Sequence, residues 1–422
     1  MPFFSSKKST PAVDPSTSAA TSEFIGLKNQ GRTCHLNTVL QSLFMTSEFR
    51  KALRECAAGS ELAPLPDALC ALFEKLETSS KAVSTKPLAA TLKRLGLDEL
   101  NEQQDAHDIW LRLNDRLETE LKSSPRPRLM QDLFEGKQRG YVTCGTCGHT
   151  SQTFETFSCI ELAFPSSGEA EAEEQEGEEE SREPLDVRAA LRARLKEESL
   201  CGDAQYECDK CKCKRDAVRG VRFATLPPIL SFHLARFRYK RCEGPKPGCG
   251  NCWVGESDGE HRLVKLTTPL VFGTTLGMEE FAPTEEDAAK AAAKAAAHAV
   301  EAAAPAATPA AAEEPAAAPA ATSAAAAASK PADAAAPAAT DPAAAPGSPS
   351  LTYELYAVVM HAGSPSDGHY YALIKDTKSQ RWFQFNDERV LPMSESELQD
   401  ACGRDGANLR TACAYMLLYR RV

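Results

Sequence analysis

Between Ala282 and Ser350 the chain is mostly alanine and proline, and sequence of strand character lies on both sides of that run. The run has too few bulky apolar groups to build a core of its own. Any sheet must therefore be assembled from pieces far apart in the chain. Upstream, Pro227-Pro228 marks a break before Ile229-Leu230-Ser231-Phe232-His233-Leu234; downstream, a strand-rich block opens at Tyr353 and closes on Ala414-Tyr415-Met416-Leu417-Leu418-Tyr419. The pattern predicts that segments 215–275 and 351–422 pair in one sheet. Closure entropy grows only logarithmically with loop length, so the insertion is tolerable. Its first part, Glu285 to Ala304, has helix-favouring Glu, Ala and Lys, and the rest reads as a polyproline-like linker.

A second interruption is acidic. Gly168 to Pro184 holds nine glutamates and one arginine, so most of the formal charge of −11 belongs to this run and not to a general acidic surface. A tail rich in Ser, Thr, Pro and Ala occupies residues 1–23 and should be disordered. What remains is one domain, 24–422, interrupted by an acidic insertion at 166–184 and the Ala/Pro-rich linker at 282–350. Its class is α+β. Helical periodicity prevails from Phe24 to about Phe134, with one apolar face at Leu69, Leu72, Phe73 and Leu76 and another at Ile109, Leu111, Leu113 and Leu117. Short Thr-, Phe-, Tyr- and Val-rich strands follow from Leu133 to Phe164, with a short helix at Leu185–Leu200.

Net negative charge without a broad basic surface argues against a nucleic-acid partner. No uncharged apolar stretch reads as a membrane span. Fifteen cysteines, an odd number, without a signal peptide point to a reducing compartment, cytoplasmic or nuclear, and to metal or catalytic roles for the thiols.

The chemistry begins at Gly26-Leu27-Lys28-Asn29-Gln30-Gly31-Arg32-Thr33-Cys34-His35-Leu36-Asn37-Thr38. Apolar residues at Leu36, Val39, Leu40, Leu43 and Phe44 mark a helix with one buried face. Thr33 is a suitable N-cap, which places Cys34 in the first turn. There the helix dipole and free backbone N–H groups favour a thiolate. Glycines at 26 and 31 allow the backbone to bring Asn29 back toward Cys34, where an amide can donate to an oxyanion.

A cysteine nucleophile needs a base, and the base an orienting partner. His369 enters a predicted strand, Gly368-His369-Tyr370-Tyr371-Ala372-Leu373-Ile374, and a turn at Thr377–Gln380 leads into Trp382-Phe383-Gln384-Phe385-Asn386-Asp387. A hairpin would bring Asn386 and Asp387 to the imidazole.

Two Cys-x-x-Cys knuckles, Cys144–Cys147 and Cys208–Cys211, have the spacing of a structural Zn²⁺ site with four thiolates. Cys201, Cys213 and His149 are alternative ligands. Such a site would be closed and stabilising, with no part in the chemistry of the cysteine nucleophile. Cys242, Cys249 and Cys252, with His261, form a further thiol-rich cluster that reads either as a second metal site or as a surface loop.

The cysteine and histidine segments together resemble the two boxes of the ubiquitin-specific proteases, the papain-like deubiquitinating enzymes. Asn101-Glu102-Gln103-Gln104-Asp105-Ala106-His107-Asp108 resembles the family's glutamine–aspartate helix, which approaches the arginine-containing tail of ubiquitin, and Pro227–Phe237 resembles the strand beside the substrate channel. The resemblance covers roughly 24–281 and 351–422. It implies a papain-like fold with thumb, fingers and palm, the zinc ribbon at the tip of the fingers. The implied reaction is hydrolysis of the isopeptide bond after ubiquitin's C-terminal glycine by a monomeric enzyme acting on ubiquitin and ubiquitinated proteins, without a catalytic cofactor. In that reading Cys34 is the nucleophile, His369 the base and Asn386 the third catalytic residue. Asn29 serves the oxyanion, and Asp387 supports the site or merely forms a turn. Asp105, Asp108 and Tyr370 would contact substrate. His35 departs from the family, which has a bulky aromatic there, and reads as a packing substitution.

Overall fold

The computed structural model describes residues 23–97, 104–164, 185–241, 253–257, 261–282, 351–365, 368–401 and 412–422. The tail, the acidic insertion, the Ala/Pro-rich linker and the Cys242, Cys249 and Cys252 cluster lie outside the described residues.

The N-terminal third is helical: α1 (Cys34–Met45), α2 (Ser47–Gly59), α3 (Pro64–Thr78), α4 (Lys86–Arg94), α5 (Ala106–Leu121) and α6 (Leu129–Phe134). The apolar face expected on α3 is buried as Leu69, Leu72, Phe73 and Leu76. On α5, Ile109, Leu113 and Leu117 are buried, but Leu111 is 37% exposed. Two residues on from Ile109, it is turned well away from the i, i+4 stripe. Asp105 caps α5 by accepting from the His107 N–H at 2.8 Å.

The helices pack on one face of an eight-stranded sheet. Its strands are β5 (Ile160–Ala163), β10 (Ile229–Ala235), β14 (Thr275–Gly277), β15 (Thr352–Gly363), β16 (Gly368–Lys375), β17 (Trp382–Asn386), β18 (Arg389–Met393) and β19 (Ala412–Arg421). The order is β18-β17-β16-β15-β19-β10-β5, with β14 on β15. Strands from both sides of the Ala/Pro-rich run thus share this sheet, through β10–β19 and β14–β15. Strand alternation divides the core. Tyr356, Val359, Tyr370, Ala372 and Ile374 face the helices, whereas Leu355, Val358, Leu373 and Leu417 face a second core completed by α7 (Val187–Arg194) and Phe272.

Other strands form smaller sheets. β3 (Gly136–Cys144), β4 (Thr150–Phe157), β6 (Glu198–Leu200) and β9 (Ala217–Thr225) make a four-stranded sheet in the order β4-β3-β9-β6, with the hairpin β7 (Tyr206–Cys208) and β8 (Cys213–Arg215) nearby. β11 (Phe237–Arg241), β12 (Trp253–Ser257) and β13 (His261–Lys265) pair separately, so not all of 215–275 joins the main sheet. A short parallel pair, β1 (Leu27–Lys28) and β2 (Val83–Ser84), flanks α1, and α8 (Glu395–Ala401) follows β18. Among the described residues no helix is long and apolar enough to cross a membrane.

Candidate active site

Every residue of α1 is buried, not one face alone. Its polar side is made compatible with burial by local bonds: Thr38 Oγ1 donates to the Cys34 carbonyl (2.8 Å), Ser42 Oγ to Thr38 (2.9 Å) and Thr46 Oγ1 to Ser42 (2.8 Å). Gln41 Nε2 donates to the Ile25 carbonyl at 3.0 Å, tying the helix to the segment that precedes it. Cys34 opens this helix and is 4% exposed. Thr33 occupies the N-cap position without a side-chain cap bond; its hydroxyl instead accepts from the Gln30 N–H at 3.0 Å.

The helix start meets β16. His369 Nε2 donates to Asn386 Oδ1 at 2.7 Å, which leaves Nδ1 for the Cys34 sulfur. The hairpin register, Ala372 opposite Phe385, carries Asn386 to this position. Gly368 precedes the histidine because a Cβ there would overlap the buried His361 ring. Burial alone would push the Cys34 thiol up, but hydrogen bonds from His35, His369 and the Tyr370 backbone N–H outweigh it and lower the pKa to about 6. His369 moves in the opposite direction, to about 9, chiefly through its bond to Cys34; burial opposes the rise, while Asn386 and the charges of Cys34 and Asp387 assist it. At neutral pH the pair is therefore thiolate and imidazolium.

Asp387 follows in the left-handed region, at φ 48°. Its carboxylate accepts from Asn29 Nδ2 at 2.9 Å and from Asn37 Nδ2 at 2.7 Å, and lies 4.0 Å from His369 Nε2. Its carbonyl accepts from the Leu27 N–H at 2.9 Å. Asn29 Oδ1 in turn accepts from the N–H groups of Gly31 (3.0 Å) and Thr33 (3.2 Å). One amide proton of Asn29 is thus committed to Asp387, and the loop preceding the nucleophile is fastened to the end of the hairpin.

The other expected residues are placed differently. Asp105, besides capping α5, accepts a hydrogen bond from the Tyr415 hydroxyl. Asp108, on the same helix, pairs with Arg112 at 2.9 Å, with both side chains about 40% exposed. Tyr370 requires a correction. Alternation along β16 sends its ring inward, 2% exposed, between His361 (4.6 Å) and Tyr415 (5.5 Å). It offers the site only its backbone N–H. Sequence reasoning also passed over Asn37, although its place one turn beyond Cys34 on the polar side of the helix was a usable signal. His107 of α5 stacks on His233 of β10, with centroids 3.9 Å apart and planes at 9°, across the junction of helices and sheet. Burial pushes both imidazoles down, His233 to about 3.

The four knuckle sulfurs, Cys144, Cys147, Cys208 and Cys211, all lie within 4.8 Å of one another. The Cys147–Cys208 and Cys144–Cys211 pairs are 3.6 and 4.0 Å apart. Four thiolates around zinc at about 2.3 Å require sulfur separations of about 3.8 Å, so the donor set fits a tetrahedral ion. Gly145 N–H donates to the Asp216 carbonyl at 2.8 Å, tying one knuckle to the residue that follows the hairpin carrying the other. Cys201, Cys213 and His149 are outside this group.

A cysteine at a helix start, an imidazole and a side-chain amide thus stand in succession, the arrangement in which a histidine can activate a thiol as a nucleophile. Residues 25–419 match the family model described as ubiquitin carboxyl-terminal hydrolase, and the chain belongs to that family, among the ubiquitin-specific proteases. It is 31% identical over 424 residues to ubiquitin carboxyl-terminal hydrolase 47 of Drosophila melanogaster, covering 94% of this chain and 25% of that protein. The human protein of the same name is 28% identical over 412 residues (94% and 27%). Ubiquitin carboxyl-terminal hydrolase 15 of Schizosaccharomyces pombe is 26% identical over 411 residues (94% and 28%). The chain spans about a quarter of the length of these relatives.

Proposed function

We propose that the chain is a deubiquitinating cysteine protease that hydrolyses the isopeptide bond after the C-terminal glycine of ubiquitin on protein conjugates or chains. The observation that carries this reading is the bonded succession Cys34–His369–Asn386 in a chain of this family. The Cys34 thiolate attacks the carbonyl carbon. The oxyanion is held by the Cys34 backbone N–H and the remaining Asn29 amide proton. As the intermediate collapses, the C–N bond breaks and His369 gives its proton to the leaving lysine amine. Neutral His369 then takes a proton from water, whose oxygen attacks the thioester, and the thiolate leaves. Asn386 keeps the ring oriented through both stages. Asp387 acts on Asn29 and Asn37, fixing the loop that carries the oxyanion donor.

In this reading the helices are the thumb, the main sheet the palm, and the four-stranded sheet with its four cysteines the fingers. Zn²⁺ held by Cys144, Cys147, Cys208 and Cys211 would join the two knuckles, a structural role distant from the reacting atoms. Asp108, with its side chain 42% exposed, and Asp105 are the carboxylates at the start of α5 that would meet an arginine of the ubiquitin tail. The reducing environment that fifteen cysteines favour suits the cytoplasm or nucleus.

A ubiquitin probe with a C-terminal electrophile tests the assignment. Covalent capture that is abolished in Cys34→Ala is expected. Tight non-covalent binding without capture by the unaltered chain would instead mark a ubiquitin-binding scaffold.

A further inference from the structure

Lys265, the last residue of β13, is only 2% exposed although it ends in an amine. Its Nζ donates to the His361 carbonyl at 2.9 Å and to the Gly363 carbonyl at 3.0 Å. Among the described residues no carboxylate pairs with it, and burial pushes its pKa down. Burying such a group is costly, and a site that needed only volume would be filled better by methionine or leucine. The two acceptors flank Ala362 at the end of β15. The ladder to β16 sets His361 opposite Tyr370, Ala362 opposite His369 and Gly363 opposite Gly368. One amine therefore holds the strand on both sides of the residue that faces the base. Among the described residues the ladder from β19 reaches only to Ala362, opposite Ala412, so the hold on Gly363 from outside β16 comes from Lys265. The lysine is itself anchored through its neighbour. Leu266 N–H donates to the Arg236 carbonyl at 2.7 Å, and the Leu266 carbonyl accepts from Arg236 Nη1 at 3.0 Å. Arg236 is 1% exposed and donates in turn to the Ala414 carbonyl of β19.

Resting on the cysteine-protease reading, we infer that Lys265 is a positioning residue for the base: by fixing the carbonyls of His361 and Gly363 it sets the start of β16, from which His369 reaches Asn386 and Cys34. It touches neither the substrate nor the reacting atoms. Its route to the chemistry is the ladder, from the end of β15 across to His369. The bond from His369 Nε2 to Asn386 Oδ1, at 2.7 Å, leaves little slack for the strand to move. A misplacement of about 1 Å at a reacting group costs about 10²-fold in rate.

Lys265→Met keeps the reach of the side chain and removes both donations. Titration with the ubiquitin electrophile counts the competent Cys34 sites. Per competent site, kcat on a fluorogenic ubiquitin amide should fall about 10- to 100-fold, with KM changed little. The deciding readout is the sulfur. Arg32 and Arg50 bracket a tryptic peptide in which Cys34 is the only cysteine, so its alkylation by iodoacetamide in the folded chain can be followed against pH by mass spectrometry. The unaltered chain should show a midpoint near 6. Lys265→Met should raise it by about one unit, a roughly tenfold slower alkylation at pH 5, because a displaced imidazole no longer supports the thiolate. In a His369→Ala background the same substitution should leave the midpoint where it is, since the effect runs through the base. An unchanged midpoint in folded Lys265→Met, or an equal shift in both backgrounds, overturns the inference. Lys265→Gln, which keeps one donor on a shorter stem, should give a smaller shift and takes the place of Lys265→Met in the same comparison if the latter does not fold; no shift there overturns the inference equally. Neither result touches the protease assignment, which fails only if the unaltered chain is not captured by the electrophile.

Discussion

Asp387→Asn isolates the charge that holds the oxyanion loop. The substitution keeps the side chain's shape, and asparagine tolerates the left-handed backbone at this position. One oxygen remains to accept from an amide. The other becomes an NH₂ facing the NH₂ of Asn29 or Asn37, which now sit 2.9 and 2.7 Å from carboxylate oxygens. A hydrogen bond to a charged group contributes about 1.5–3 kcal/mol and a neutral one about 0.5–1.5 kcal/mol. Losing one and weakening the other should cost about 2–3 kcal/mol, little screened because the Asp387 side chain is only 15% exposed. In a domain of this size that corresponds to a melting temperature lower by about 3–5 °C. Loss of an oxyanion donor costs about 10²–10³ in kcat; with Asn29 loosened and not removed, the fall should be about 10- to 100-fold, with KM changed little. Thermal melting and hydrolysis of a fluorogenic ubiquitin C-terminal amide measure both quantities. Asp387→Ala should be worse on both counts, since alanine also strains at φ 48°. A variant with unaltered melting and unaltered kcat would show that Asp387 is an ordinary turn residue and refute the reasoning.

The rate of covalent capture by the ubiquitin probe should follow a bell in pH, rising through about 6 as the Cys34 thiolate forms and falling through about 9 as His369 loses its proton; a profile still climbing above pH 9 contradicts the ion pair. Burial holds His233 and His361 neutral, each pushed down to about 3. Their unfolded counterparts take up protons below about 6.5, so stability is full above that pH and lost as pH falls toward 3, by about 2 kcal/mol per ring at pH 5. Urea titrations at pH 7 and pH 5 should show that loss, and a His233→Gln/His361→Gln double variant should flatten the difference if it folds. The purified chain should contain one equivalent of zinc; Cys208→Ser should lose it and melt earlier, with Cys34 alkylation at pH 7 changed far less than melting. Full zinc retention in that variant would remove Cys208 from the ligand set.

The elements legible in the sequence were those whose signal is local. The Cys34 helix, the His369–Asn386 hairpin and the two knuckles each carry their chemistry within a few residues, and the structure brings each set together. The sheet joining β10 to β19 was legible because strand-like sequence on both sides of an alanine–proline run leaves little other way to bury it. What escaped depends on partners distant in the chain. The inward ring of Tyr370 follows from strand phase at β16, which periodicity alone cannot assign when both faces of a sheet are covered. The same double burial hid the depth of α1: its polar side looked solvent-facing until Asp387 and Ile25 supplied partners for Asn37 and Gln41.

β19 lies between β15 and β10 in the main sheet. The Arg236 guanidinium, one residue past β10, donates to the Ala414 carbonyl 178 positions further along the chain, at 2.6 Å. On the ribosome, the Cys34 helix and β10 emerge long before the strand that joins them to the histidine hairpin. The catalytic cleft therefore cannot assemble until β19 has been made, and the nascent polypeptide carries its reactive sulfur from Cys34 to that point without the scaffold that would aim it.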